Sequence, residues 1–141
     1  MAYCTLSDIT STITADDVQR LTDDEGIGAI ITSRVDEAIT KATGMVLAFT
    51  GGTVLDPVPE IIRQISVELS IYHLYKRRFA ENMPESIDKG YSRSIDLLKQ
   101  IQSGKMSVGA PEAEQAVVSG QYATNKTSDD RQFGKSTLAG Y

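Results

Sequence analysis

The chain has few of the residues that most often carry chemistry. Among its 141 residues there is one cysteine, Cys4, and one histidine, His73. A single cysteine leaves no partner for an internal disulfide. Its place beside the N-terminus, between Tyr3 and Thr5, reads as a packed or incidental thiol in a reducing compartment. There is no Cys-x-x-Cys or His-Glu-x-x-His spacing, no serine in a nucleophile elbow, and no glycine-rich loop leading to a phosphate-binding lysine. His73, set between Tyr72 and Leu74, reads as a packing or surface residue. No catalytic set can be assembled, so neither an enzyme nor a cofactor is expected. Met1 to Thr10 lacks both a basic start and an apolar run, so no signal peptide is expected. The most apolar stretch, Ile61 to Tyr75, is interrupted by Arg63, Gln64 and Glu68 and is too short to cross a bilayer. β-Branched alternation long enough for a sheet is absent, and no internal repeat is visible. These absences leave a cytosolic protein, or part of a particle assembled in the cytoplasm.

What the chain does have is helical periodicity. From Val58 to Phe79, a stripe of Val58, Ile61, Ile62, Ile65, Leu69, Tyr72, Tyr75 and Phe79 follows the three-and-four spacing of a core-facing helix. A second stripe, Val67, Ile71 and Leu74, lies off that line and continues into Arg78. A helix apolar on so many sides is either central to its domain or shared with another subunit. In so small a chain the second reading predicts an oligomer interface through Val67, Ile71, Leu74 and Arg78.

Four further helices, two of them short, bracket this one. Thr5 caps a turn through Leu6 and Ile9. Thr14 caps a second helix with Asp16 and Asp17 in its first turn, where the dipole favours acids, and Val18 and Leu21 facing inward. Thr32 or Ser33 begins a longer helix with Val35, Ala38, Ile39, Ala42, Met45, Val46 and Phe49 on its apolar face, ended by Gly51-Gly52. Asp56-Pro57-Val58-Pro59 opens the central helix, and Asn82-Met83-Pro84 breaks the chain. A last helix carries Ile87, Tyr91, Ile95, Leu98 and Ile101, with Ser103-Gly104 after it. The pattern predicts an all-α protein: a small bundle of three principal helices plus short N-terminal ones over residues 1–109. Residues 110–141 are mostly small and polar and read as an extended C-terminal arm. Its aromatic end, with Arg131, Phe133, Leu138 and Tyr141, predicts an arm that gains order on a partner.

Charge is segregated. Residues 1–56 carry nine acids and three bases, residues 57–109 six and eight, and residues 110–141 four and three, for a net charge of −5. So acidic a chain is a poor wrapper of nucleic acid. Its dense basic cluster, Lys76-Arg77-Arg78, reads as a partner of the helix C-terminal dipole rather than a phosphate site. The turn Asp23 to Gly28 invites comparison with a calcium loop. Ile27 and Arg34 fall where the fifth ligand and the bidentate glutamate belong, so a solvated turn is expected and no metal.

Several segments in their order resemble the Mu-like phage and prophage head–tail adaptor proteins. They are Met1 to Asp8, the Leu21-Thr22-Asp23 turn with its glycines, the helix from Ile61-Ile62-Arg63 to Tyr72-His73-Leu74-Tyr75, the run Ile101 to Gly109, and the terminus Arg131 to Tyr141. The resemblance implies a small helical protein without enzymatic activity, located in the virion neck at the head–tail junction. It implies a ring, commonly of twelve subunits, below the portal protein and against a tail terminator or other neck protein, with DNA passing through without sequence-specific binding. An acidic lining would let the duplex slide. The alternative is a small helical oligomeric binding or regulatory module that uses Lys76-Arg77-Arg78 with Lys89 and Arg93 as its footprint.

Overall fold

The computed structural model describes residues 1–108. Among these are five α-helices and no strand: α1 (Leu6–Thr12), α2 (Ala15–Thr22), α3 (Thr32–Phe49), α4 (Glu60–Phe79) and α5 (Glu85–Gln102), with one 3-10 turn, Ala80–Asn82, between the last two. The all-α expectation holds for this part of the chain.

Local chemistry sets the boundaries. Thr5 and Asp8 form a reciprocal capping box: the Thr5 amide donates to Asp8 Oδ2 at 2.8 Å and the Asp8 amide to Thr5 Oγ1 at 3.4 Å. Thr14 caps α2 by accepting from the Asp17 amide at 3.2 Å. Pro59 and Pro84 stand at the N-caps of α4 and α5, where a missing N–H breaks no helical bond. Gly51-Gly52 ends α3, with the Gly52 amide donating back to the Leu47 carbonyl at 2.7 Å.

α4 is the axis of the bundle, packed against α3, α5, α2 and α1. Its apolar residues divide between neighbours. Ile62, Ile65 and Leu69 join Tyr3, Ala42, Val46 and Leu98 in one core cluster. Val67 and Ile71 join Cys4, Ile9, Val18, Val35 and Ile39 in another, and Leu74 sits with Leu21 and Ala38. Ser66 and Ser70, both fully buried on α4, bring the N-terminal segment close. The Cys4 thiol lies 3.4 Å from Ser66 Oγ and 3.5 Å from Ser70 Oγ, a packed residue as read from the sequence.

Two expectations are corrected here. Val67, Ile71 and Leu74 were expected at a subunit contact, yet they are 6%, 3% and 0% exposed within the single chain. The covering surface comes from α1 and α2. Each is only two turns long, but Ile9, Val18 and Leu21 lie flat on the second stripe of α4 and complete its burial. Of the two readings of an over-apolar helix, the domain-internal one is realised. Phe79 was expected in the core and is 41% exposed: it is the last residue of α4, beyond Leu74, the helix's last buried position.

α5 docks through one amphipathic face. Ser94 donates to the Glu68 carboxylate at 2.6 Å, and the Tyr91 ring stacks on Tyr72 with centroids 3.9 Å apart. His73, half-buried on α4, has an Nε2 atom with no hydrogen-bond partner among the described residues. Burial, followed by the charges of Lys41 and Lys76, pushes its pKa below the ordinary 6.5.

Two outcomes follow. Leu74→Ala should lower unfolding stability by roughly 2–5 kcal/mol in urea titrations, the range for a fully buried leucine. Unchanged stability accompanied by altered self-association would contradict the interior placement. For His73, the unfolded chain takes up a proton near pH 6.5 that the folded chain resists, so stability should decline as pH falls below that value. His73→Gln should flatten this decline in thermal melts recorded between pH 7 and pH 5.

Candidate functional site

The densest arrangement of charge among the described residues lies where α2, α3 and α4 meet, and it is built from the turn upward. α2 closes with Thr22, whose hydroxyl donates to the Val18 carbonyl at 2.9 Å and accepts from the Ile31 amide at 3.2 Å, so the two ends of the 23–30 loop are pinned together. Inside the loop, the Asp23 carboxylate accepts the Ile27 amide at 2.9 Å and the Gly28 amide at 2.7 Å. These two bonds, Ile27 first, hold Asp23 below the usual carboxylate pKa. The fold-back requires left-handed backbone at Gly26 (φ +72°) and Gly28 (φ +80°), conformations that side chains disfavour. With Asp23 turned inward, the next carboxylate, Asp24, is displayed outward.

Three guanidinium groups converge on it. Arg77 of α4 binds Asp24 in bidentate fashion, at 2.6 Å to Oδ2 and 2.9 Å to Oδ1, and also donates to the Leu21 carbonyl. Arg78 donates to the Asp23 carbonyl at 2.7 Å and reaches Asp24 Oδ1 at 3.3 Å. Arg34, from the first turn of α3, pairs with Asp24 Oδ2 at 2.8 Å and donates to the Thr22 carbonyl. The Arg77 hydrogen bond is the main cause of a lowered Asp24 pKa, and the charges of Arg77, Arg34 and Arg78 add to it. The same contact raises Arg77. These arginine side chains remain 26–33% exposed, so the cluster is half in water and three positive groups surround one negative group.

The cluster revises the reading of several residues. Arg77 and Arg78 do more than face the dipole of their own helix: they cap the C-terminal carbonyls of α2 and hold the acidic turn. Arg78, expected at an oligomer interface, is engaged with Asp23 and Asp24 of its own chain. The turn is not simply solvated. The oxygens of Asp23 are taken by backbone amides and those of Asp24 by guanidinium groups, and no three metal-binding side chains cluster among the described residues. Lys89, grouped with Arg77 and Arg78 in the regulatory alternative, pairs instead with Glu85 on its own helix at 2.7 Å. The available signal was charge: an acidic helix-ending turn and a basic helix-ending triplet in one small chain. Arg131, Phe133, Leu138 and Tyr141 lie outside the described residues.

At the opposite end of α4, Phe49, Leu55, Ile101 and Val108 line an open groove of about 480 Å³ beside the exposed Val54. A second shallow recess of about 300 Å³ is lined by Asp8, Glu60, Arg63 and Glu68. Among the described residues no helix is long and apolar enough to cross a membrane.

Since Asp24 is held ionised in the fold, its contribution to stability is complete above the usual carboxylate range and is lost as pH falls through its lowered folded pKa. Asp24→Asn should therefore lower the melting temperature at pH 7, and the gap from the parent chain should close in strongly acidic buffer. A gap independent of pH would contradict the ion-pair assignment.

No curated protein matches the chain. The sequence profile of the Bacteriophage Mu, Gp36 family, however, matches residues 3–126, which takes in all five helices. The chain belongs to the bacteriophage Mu Gp36 family and is a structural or morphogenetic protein of a Mu-like phage.

Proposed function

We propose that this protein is a head–tail connector subunit, one of a ring of copies below the portal protein that joins the capsid to the tail and lets DNA pass. The observation that carries the reading is the Mu Gp36 family match over residues 3–126, taken with the head–tail adaptor resemblance of the chain's segments. A self-sufficient helical bundle with a polar, aromatic-ended terminal segment supports it. Such a chain brings a rigid body and a separate strip of binding residues to an assembly. Net charge supports it as well: at −5 the chain would repel the phosphates of a passing duplex rather than retain it. The competing nucleic-acid footprint is weakened because Arg77 and Arg78 are already engaged by Asp24.

In this reading Val67, Ile71 and Leu74 hold the subunit together, and contacts between subunits fall to other surfaces and to the terminal residues. Each head-to-tail contact in a closed ring can be modest, since every subunit is held on two sides. Arg131, Phe133, Leu138 and Tyr141 bind a neighbouring subunit, the portal or a tail protein. The test is deletion of Arg131–Tyr141 in the phage. Purified protein should keep its helical circular dichroism and melting temperature, while lysates should accumulate filled heads and free tails. Normal titres of infectious particles would overturn the role given to the terminus.

A further inference from the structure

Like charges repel, yet Arg34, Arg77 and Arg78 come from two helices and meet within the span of one carboxylate, Asp24. Their repulsion is least screened where water is partly excluded, and these side chains are only 26–33% exposed. The other carboxylates nearby give little relief. Both oxygens of Asp23 are taken by the Ile27 and Gly28 amides. Glu37, whose charge acts on Arg77, is bound by Lys41 at 2.6 Å. One negative charge therefore serves three positive ones, and the cradle they form can accept a second anion.

Donors for that anion are already in place. A guanidinium offers five N–H groups. Arg77 spends both terminal nitrogens on Asp24 and the Leu21 carbonyl, but Arg34 and Arg78 make all their contacts through Nη1. Nε and Nη2 of both are without a partner among the described residues. A ligand on these nitrogens leaves Asp24, the 23–28 turn and the capped carbonyls of α2 as they are. Arginine rather than lysine at all three positions suits a planar group with two oxygens.

The apolar neighbours narrow the source of that group. Phe79, 41% exposed, has its ring 5.8 Å from the Arg78 guanidinium. Ile27, 63% exposed, belongs to the turn that Arg78 holds through the Asp23 carbonyl. Arginine beside exposed aromatic and aliphatic side chains is the composition of a protein-binding spot, whereas a phosphate backbone makes no use of isoleucine. The net charge of −5 also disfavours a polyanion. We propose that the free edges of Arg34 and Arg78, with Phe79 and Ile27 beside them, bind a carboxylate presented by an acidic, partly apolar segment of another protein. Asp24 is then the internal counter-ion that keeps the cradle assembled, and the incoming carboxylate is the second. The connector reading is not a premise of this assignment.

The probe is a peptide of alternating glutamate and leucine, titrated into the full chain at low ionic strength and followed by the arginine side-chain Nε–H resonances. Those of Arg34 and Arg78 should shift and saturate. That of Arg93, exposed on α5 and without an ion pair among the described residues, should not. Arg34→Gln with Arg78→Gln should weaken binding by about tenfold or more, the size of one hydrogen bond to a charged group, while Arg93→Gln leaves it unchanged. Ile27→Ser should weaken binding without lowering the melting temperature, which keeps the test clear of the fold. Equal responses from Arg93 and the cradle would overturn the proposal by reducing it to diffuse charge attraction, as would shifts that never saturate. Tighter binding of a short DNA duplex than of the peptide would also overturn it, making the site a phosphate contact. Each of these results leaves the connector reading to particle assembly after loss of Arg131–Tyr141.

Discussion

Removal of α4 from water on nearly every side is the constraint from which the rest of the architecture follows, because its two apolar flanks cannot be covered by one neighbour. Ile62, Ile65 and Leu69 point toward the second half of α3 and toward α5; Val67, Ile71 and Leu74 point toward the first half of α3 and the N-terminal helices. A fully buried side chain of this size is worth roughly 1.5–3 kcal/mol relative to exposure, so leaving either flank uncovered would remove much of a small domain's margin. The two short helices answer that need. Neither is long enough to be stable alone, and each is held in place by a capping threonine and by the face of α4 it covers.

The arginine cluster is a consequence of the same packing. Once α2 lies against α4, the end of α2 and the end of α4 coincide, and the unsatisfied carbonyls of one meet the guanidinium groups of the other. Asp24 then supplies a countercharge. The arrangement closes the acidic turn between α2 and α3 through polar contacts, with Ile30 packed on the core, and leaves Ile27 and Phe79 exposed.

Family membership and the fold bear on function at different levels. The Mu Gp36 match assigns the chain to phage morphogenesis, while the bundle describes a subunit whose core is complete without a partner. The strongest apolar stripe is used up by the fold itself and offers no open surface. This shifts attention from the middle of α4 to its two ends: the guanidinium cradle at one and the groove of Phe49, Leu55, Ile101 and Val108 at the other.

Helix identity was legible in the sequence because each signal is local. The Thr5–Asp8 and Thr14–Asp17 caps, the prolines before α4 and α5, and the three-and-four spacing of α3, α4 and α5 act over a single turn of chain, and all five helices formed where they are written. Two things depended on distance and could not be read that way. Which partner covers Val67, Ile71 and Leu74 is decided by the path of α1 and α2, since an apolar stripe is equally satisfied by its own chain or by another. That Arg34, Arg77 and Arg78 meet at Asp24 is decided by the alignment of three helix ends, residues up to 54 positions apart in sequence. Periodicity states that a face must be dry; only the tertiary structure states what dries it, because burial energy is indifferent to the chain from which the covering atoms come.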